Sequence, residues 1–419
     1  MRIALALLTA VILLGIVAYI SIGLKPPEKI RLATGIAKGG YWQIGELYRA
    51  ELANDGIVVE LLETAGSLEN IEKVITGEAD VAIVQGGLEL AEDANLQSLG
   101  AIFLEPIVLF RGRSSPLDPN PGEWRDIRLA AGPVGSGTRA AALALIEAAG
   151  VSDAGIELVE AGGAKALAAL RNGNADAIFL VAPLAAPYLM EAIFDPELLF
   201  VPMSLVEALS LKLPGAIAAK VPAGAITLDP PRPPAEVTVL ALRASLVSKN
   251  DLHPALVDRL IYAATVLHSN RDILHGYREY PSADSPPVPL SESARQLILN
   301  GPSILHDFLP YWVAAQFGSV LLLLVPLLFI LPPVLRTIPL IYVWLQKRRI
   351  WAHYQSIETL ELELSQAKTD RELSSLIGKL DEVDSSLANL NLPLAYRQGA
   401  YDARLHIDLI RQEISRRKN

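Results

Sequence analysis

The sequence predicts an α/β fold of two similar lobes, with an apolar membrane segment at each end and a helical tail. Three observations predict it. Short apolar strands alternate with amphipathic helices between residues 28 and 300, the order of strand, Gly-rich turn and helix occurs twice, and two long uncharged segments flank this region. Because alternating strands and helices form parallel sheets through right-handed crossovers, each repeat of the pattern predicts one lobe.

The first lobe begins with an apolar strand over 30–34 and a Gly-rich turn over 35–40. An amphipathic helix and a β-rich segment at 57–62 follow. Ser67 has the residue type of a helix N-cap and opens a second helix. Residues 81–84 complete the unit as a buried strand.

The second lobe repeats this order, with a strand over 127–131, a Gly-rich turn over 132–138 and a helix that ends at Ala149. The next strand, helix and strand are predicted at 156–159, 164–171 and 177–181. The two halves also end alike, since Gly-Glu-Ala-Asp precedes the third strand of one and Gly-Asn-Ala-Asp that of the other. This echo is either a true repeat or the common vocabulary of βα units.

Composition excludes several classes of function. The chain has no cysteine, which removes disulfides, thiol nucleophiles and Cys-ligated metals. Its net charge is −10, and no basic stripe with interleaved aromatic residues occurs, so nucleic acid is not expected as a partner.

The motifs of common enzymes are also absent from the sequence. None of the six histidines forms an HExxH pair, and Gly135-Ser136-Gly137 lacks the spacing of a nucleophile elbow. No phosphate-binding P-loop occurs, and the glycines of the first turn do not fit the dinucleotide fingerprint. We therefore expect a protein that is not an enzyme and that needs no cofactor or metal.

Two uncharged segments, Ile3–Leu24 and Leu309–Leu335, are each long enough to cross a bilayer as a helix. The first is either an uncleaved anchor or a cleaved signal peptide. Basic residues at 347–349 follow the second, and such clusters favour the cytoplasmic side. The sequence thus predicts that residues 28–310 face away from the cytoplasm and that both ends lie inside.

The Gly-rich turns predict a binding cleft between the lobes. Ligands of open α/β sheets bind beyond the carboxyl ends of the strands, where these turns lie. The first N–H groups of a helix have no partner within the helix and favour an anion. Gly39 and Gly40, the helix start at Ser67 and the helix start at 136–138 are therefore candidate anion sites, with Lys38 and Arg139 as additional charges. An ordinary N-cap is the alternative role for each serine.

In these motifs the chain resembles the TAXI family. TAXI proteins are the solute-binding proteins of TRAP transporters, and they are related to type II periplasmic binding proteins. The resemblance covers about residues 28–300, and its matching segments are 33–35, 39–41, 63–70, 77–85, 135–139, 221–224 and 246–248. It implies a small carboxylate or amino acid bound between the lobes. The ligand contacts that it implies are Gly40, Tyr41, Ser67, Asn70, Gln85, Ser136, Gly137, Thr138 and Arg139, and Tyr41 or Trp42 would cover the apolar part of the solute.

The uncharged segments and the tail pattern predict the outer boundaries of the domains and the lipid bilayer as a partner, and the resemblance implies the lobe boundaries, the solute and the permease. The expected segments are 1–27 (anchor or signal peptide), 28–308 (periplasmic solute-binding domain), 309–346 (transmembrane helix and interfacial segment) and 347–419 (cytoplasmic helical tail). Within the domain, lobe 1 is expected over 28–112 plus 222–300 and lobe 2 over 113–221. The expected partners are a small anionic or zwitterionic solute, a TRAP-type permease and the lipid bilayer of the bacterial inner membrane.

The tail has the pattern of two packed helices. Leu373, Ile377, Leu380, Asp384 and Leu387 form an a/d seam, and Leu405, Leu409 and Ile414 are the expected apolar face of the second helix. A helical cap or dimerisation element and a docking site for a partner both fit this pattern. The sequence accordingly predicts a membrane-tethered solute receptor for transport. The alternatives are a sensor that signals through the tail and a structural membrane protein whose cleft is empty.

Overall fold

The computed structural model describes residues 25–88, 95–115, 117–284, 287–301, 305 and 308–418. The chain forms two compact units, Met1–Phe317 and Gly318–Asn419. The first unit is mixed α/β and the second is helical. The two-lobed α/β architecture predicted for the first unit is confirmed.

The strands of the first unit alternate with helices, as their apolar periodicity predicts. The strands are β1 Lys29–Ala33, β2 Val58–Leu62, β3 Val81–Gln85, β4 Leu96–Gly112, β5 Arg128–Ala130, β6 Glu157–Val159, β7 Ala177–Val181, β8 Leu198–Val201, β9 Ala216–Val221, β10 Thr227–Leu228, β11 Pro231–Arg232 and β12 Val237–Lys249. The helices are α1 Gly40–Ala53, α2 Ser67–Thr76, α3 Gly137–Ala148, α4 Ala164–Arg171, α5 Pro187–Phe194, α6 Val206–Ser210, α7 Pro254–His268, α8 Glu292–Asn300 and α9 Tyr311–Ala314.

The main sheet has the strand order β2-β1-β3-β12-β4-β7-β5-β6, with β8 also paired to β4 and β9 to β12. β1 pairs in parallel with β2 and β3, and β5 pairs in parallel with β6 and β7. These two parallel groups are the centres of the two lobes.

The boundary between the lobes runs through β4. Its residues up to Pro106 pair with β12, and from Ile107 onward it pairs with β7 of the second lobe. The chain therefore crosses between the lobes inside one continuous strand. This crossing places the residues near Pro106 where the two lobes meet.

The same Arg–Asp contact joins the first strand of each lobe to the residue before its third strand. In lobe 1, Asp80 accepts hydrogen bonds from the backbone N–H and the guanidinium of Arg31, both at 2.7 Å. In lobe 2, Asp176 accepts the matching pair from Arg128, both at 2.8 Å. This shared geometry, at the same register of β1 and β5, favours a true repeat as the reading of the sequence echo.

Each lobe has its own apolar core. Tyr48, Ile83 and Leu246 are fully buried at the centre of lobe 1. Trp124 and Phe179 are buried to the same degree in lobe 2. Burial of one such side chain contributes about 1.5–3 kcal/mol, so each core stabilises its own lobe.

The second unit contains the helices α10 Phe317–Gln366, α11 Asp370–Ala388 and α12 Arg397–Lys418. Thr369 and Glu372 form a capping box at the start of α11. The predicted seam of α11 is largely buried, although Leu376 replaces Ile377 among the fully buried residues. Asp384, the polar member of the predicted seam, forms an ion pair with Arg404 of α12, with 2.6 Å between Oδ1 and Nε.

The predicted apolar face of the last helix is wrong. Leu405 and Leu409 of α12 are more than half exposed, whereas Ile414 is buried as expected. The buried residues of α12 are Ala400, Ala403, Ile407, Ile410 and Ile414. These residues alternate at spacings of three and four, which is the pattern of a packed helix seam. Two leucines four residues apart are too few to show which face of the helix carries that seam.

Among the described residues, no helix combines the length and the apolar character needed to cross a membrane. The predicted second span, 309–335, covers α9 and the first part of α10, and this finding does not support it. The predicted first span, 3–24, lies outside the described residues.

Candidate ligand-binding cleft

A cavity of about 80 Å³ lies between the two lobes. The first lobe lines it with Gly35, Ile36, Gly39, Gly40, Tyr41, Ala65, Gly66, Ser67, Gln85 and Glu105. The second lobe contributes Gly132, Pro133, Ser136, Gly137, Thr138, Gly162, Gly163, Val181, Pro183 and Tyr188. The structure therefore brings most of the predicted contacts to one cavity, namely Gly40, Tyr41, Ser67, Gln85, Ser136, Gly137 and Thr138.

The N-cap residues of α1, α2, α3 and α4 all line this cavity. The N-cap of α1 is Gly39 and that of α4 is Gly163, and neither has a side chain to satisfy the first N–H groups. The N-cap of α3 is Ser136, whose Oγ accepts a hydrogen bond from the backbone N–H of Arg139. At α4 the N–H groups of Lys165 and Ala166 donate to the carbonyls of Gly162 and Gly163, both at 3.1 Å. The first N–H groups of α1 and α3 have no intrahelical acceptor, so these two helix starts give the cavity an affinity for negative charge.

The helix start at Ser67 differs from the prediction. Gly66 is the N-cap of α2, and the Ser67 hydroxyl accepts a hydrogen bond from the backbone N–H of Gln85 at 3.0 Å. The N–H groups of Leu68 and Glu69 both donate to the carbonyl of Gly135, in the opposite lobe, at 3.1 and 3.4 Å. A backbone carbonyl of lobe 2 thus occupies the anion site that was expected at this helix.

The lobes are closed on each other in this structure. Besides the contacts of Gly135, the side-chain amide of Gln85 donates to the carbonyl of Gly137 at 3.0 Å. A Cβ at Gly137 would lie 2.8 Å from Gln85 Oε1 and 2.9 Å from Ser67 Oγ. Glycine at this position therefore permits a close approach between the lobes.

Asn70 supports the cleft from behind. It is fully buried, and its amide donates to the carbonyls of Thr34 and Ile83 at 2.6 and 2.7 Å. Its Oδ1 accepts from Thr64 at 2.6 Å. Asn70 ties α2 to β1 and β3 and is not among the residues that line the cavity, contrary to the predicted ligand contact.

The predicted charged contacts also lie outside the cavity lining. The Arg139 guanidinium donates to the carbonyls of Gly132 and Leu158 at 3.5 and 3.4 Å. Lys38 is exposed to solvent in a left-handed backbone conformation, and Trp42 is half-buried. Among the described lining residues there is no lysine, arginine or histidine, so positive potential at the cavity comes from backbone N–H groups.

Glu105 and Tyr188 are polar side chains on the cavity wall that the sequence did not predict, and Glu105 is the acidic one. It lies on β4 next to the crossing between lobes, is 1% exposed, and accepts a hydrogen bond from the Tyr41 hydroxyl at 2.6 Å. Burial raises the pKa of Glu105 to about 8, although the hydrogen bond from Tyr41 opposes this shift. Burial also raises the pKa of Tyr41 and Tyr188. A single acid within the otherwise apolar stretch from 99 to 110 was the signal in the sequence.

The chemistry of the site is that of binding. Backbone donors and hydroxyls surround a small cavity with one buried carboxyl group. Within the part of the chain that the structure describes, no group of three His, Asp or Glu side chains is placed to hold a metal ion.

Solved structures with a similar chain path share little sequence with this protein. An ancestral arginine-binding protein bound to arginine has 13% identity, with 59% of this chain and 95% of that chain covered and a TM-score of 0.40. The CcmR regulatory domain from Synechocystis in complex with 2-PG has 17% identity, coverage of 58% and 98%, and a TM-score of 0.39. The periplasmic aliphatic sulphonate-binding protein from Escherichia coli has 15% identity, coverage of 57% and 70%, and a TM-score of 0.36.

No curated protein matches this chain. The model of the NMT1-like family matches residues 32–283, which include lobe 2, most of lobe 1 and all the described residues that line the cavity. This match covers more than half of the chain, and the chain belongs to the NMT1-like family.

Proposed function

We propose that this protein is a membrane-tethered extracytoplasmic solute receptor, which captures a small carboxylate or amino acid for a TRAP-type secondary transporter. The observation that carries the proposal is the cavity between two closed lobes at which α1, α3 and α4 begin. Helix N-termini are suited to a carboxylate, and a cleft between lobes is suited to a receptor that releases its ligand by opening.

Capture in this proposal follows from the groups on the cavity wall. The solute enters when the lobes are apart, and its carboxylate takes the N–H groups at the starts of α1 and α3. The ring of Tyr41 covers the remainder of the solute. Closure then forms the hydrogen bonds of Gln85 and Gly135 across the lobes, which stabilise the closed state.

The cellular location is part of the same proposal. We place the two lobes in the periplasm, the tail in the cytoplasm and the anchors in the inner membrane. The support is in the sequence, where two long uncharged segments flank the lobes and the basic residues 347–349 follow the second. The permease partner rests on the resemblance to TAXI proteins.

Thermal unfolding of the full chain with a panel of amino acids and small mono- and dicarboxylates tests the binding function. A solute at 100 times its Kd stabilises the protein by about 2.7 kcal/mol, which raises the melting temperature measurably. Ser136→Ala should reduce the shift because it removes the cap that orients α3 at the cavity. The matched control is Ser152→Ala at an exposed position, and the proposal fails if no solute shifts the transition.

A second candidate is a sensor that signals through its tail. The helical unit favours it because Ile357, Leu380 and Ile407 build a separate core, which a simple anchor does not need. A solute that alters hydrogen exchange in residues 354–418 of the full chain supports sensing. Solute-dependent stimulation of uptake by a permease supports transport.

A further inference from the structure

We infer that Glu105 makes the cleft selective for a solute that carries an ammonium group, so that the protein prefers a small zwitterionic amino acid to a simple carboxylate. This inference rests on the proposed solute-binding function. It adds the class of solute and the side chain that selects it.

The position of Glu105 supports this role. The residue is 1% exposed, yet it lines the cavity. Its Oε2 accepts the hydrogen bond from Tyr41, and no donor among the described residues reaches Oε1. Since an ionised carboxylate accepts several hydrogen bonds, Glu105 has capacity left for a donor on the solute.

The charges around Glu105 leave it without a protein counter-ion. The other ionisable side chains on the cavity wall are Tyr41 of α1 and Tyr188 of α5, and both are neutral at ordinary pH. Arg243 on the neighbouring strand β12 pairs with Leu104, so it lies on the opposite face of the sheet from Glu105. A buried carboxyl group ionises at neutral pH only when a positive charge pairs with it, and a solute ammonium group can supply that charge.

The same cavity also favours the opposite charge. The N–H groups at the starts of α1 and α3 attract a carboxylate, while Glu105 attracts an ammonium group. An amino acid carries both groups on one carbon atom. A solute with only a carboxylate satisfies the helix starts and leaves Glu105 unpaired.

The volume of the cavity suits a small solute. A cavity of about 80 Å³ is well above the minimum of about 10–15 Å³ that one bound water needs, so it has room for a solute with a few non-hydrogen atoms. Glycine, alanine and serine are solutes of this size.

Binding of an ammonium group should release a proton. Burial raises the pKa of Glu105 to about 8, so the carboxyl group is mostly protonated at pH 7 in the free protein. An ammonium group favours the ionised form and lowers this pKa on binding. Affinity should therefore rise with pH by up to about 10-fold per unit below pH 8 and level off above it.

Calorimetry of the full chain tests the inference with matched pairs of probes: glycine and acetate, alanine and propionate, serine and 3-hydroxypropionate. We expect at least one amino acid to bind about 30-fold or more tightly than its partner, as the loss of one buried ionic contact implies. Titrations at pH 7 in two buffers of different ionisation enthalpy should show a net release of protons when the amino acid binds.

Glu105→Gln separates charge from shape. The variant resembles the protonated side chain, keeps an acceptor for Tyr41, and should melt within a few degrees of the wild type. It should lose about 30-fold or more in amino acid affinity, together with the pH dependence and the proton release. Glu157→Gln, at an exposed carboxyl group on β6, should change none of these.

The outcomes distinguish the two proposals. If acetate or propionate binds as tightly as its amino acid, or the Glu105→Gln variant retains wild-type affinity, the inference is overturned and the solute-binding function stands. Amino acid binding without proton release at pH 7 also overturns it. If none of the probes and no member of the wider solute panel binds, the proposed function fails and the inference fails with it.

Discussion

Single residues decide how closely the two lobes approach. Gly137 faces Gln85 and Ser67 of the opposite lobe at distances that leave no space for a side chain. Gly40 is equally constrained, because a Cβ there would lie 2.7 Å from Pro183 of the second lobe. These contacts form between lobes and not within them, so they affect closure without entering either hydrophobic core.

Gly137→Ala should weaken solute binding and leave folding intact. The added methyl group must push Gln85 or Ser67 aside on closure, and overpacking of this kind costs about 1–3 kcal/mol. We expect the Kd of the best solute to rise about 5- to 150-fold. Calorimetry measures the Kd, and the melting temperature of the free protein should stay the same.

Gly112→Ala is the matched control for this variant. A Cβ at Gly112 meets only Leu170 Cδ1, at an ordinary contact distance of 3.9 Å. Its solute affinity should equal that of the wild type. Equal affinities of both variants would show that closure does not need the approach at Gly137.

At the scale of elements, the two lobes use the same Arg–Asp contact to join their first and third strands. In each, the carboxylate binds a backbone N–H and a guanidinium of the first strand. Hydrogen bonds to charged groups are stronger than neutral ones, but partial exposure to solvent reduces their value. The contact therefore aligns the first and third strands of each lobe and adds only a little to the free energy of unfolding.

Asp176→Ala should lower the free energy of unfolding by about 1 kcal/mol at pH 7. The hydrogen bond from Arg128 lowers the pKa of Asp176, so the carboxylate stabilises the fold above its unfolded pKa of about 3.9. This stabilisation is lost as the pH falls through the lower pKa of the folded state. The difference from the wild type should thus shrink as the pH falls below about 4.

Urea unfolding at pH 7, 5 and 3 measures this difference. Asp80→Ala, at the equivalent position of lobe 1, should have a similar cost at pH 7. Asp153→Ala removes an exposed carboxylate of lobe 2 and serves as the control. A cost at Asp176 no larger than that at Asp153 would contradict a structural role for the repeated contact.

At the scale of the whole molecule, the chain consists of a two-lobed unit and a helical unit. The proposed topology assigns them to opposite sides of the inner membrane. Because the chain contains no cysteine, a single introduced cysteine is a specific probe of either unit.

Ser152→Cys and Ser385→Cys test this topology, since both positions are exposed. In intact cells with a permeabilised outer membrane, a membrane-impermeant maleimide should label residue 152 in the two-lobed unit. Residue 385 in the tail should react only after the inner membrane is lysed. Labelling of both positions in intact cells, or of neither, would contradict the proposed location.

The three strands, the helices and the Gly-rich turn of each βα repeat followed from the sequence alone, because apolar periodicity and N-cap chemistry act over a few neighbouring residues. The long strand β4, which crosses between the lobes, did not. The same local signals predicted Ser136 at the start of α3 and most of the α11 seam.

Only the tertiary structure decided what surrounds the cavity. It buried Asn70, turned Arg139 toward backbone carbonyls, set Gly135 on the start of α2 and brought Glu105 to the cleft. Each of these outcomes depends on which residues, distant in sequence, meet across strands and lobes. A local pattern predicts that a side chain is charged or caps a helix. Tertiary packing decides which distant residue becomes its hydrogen-bond partner.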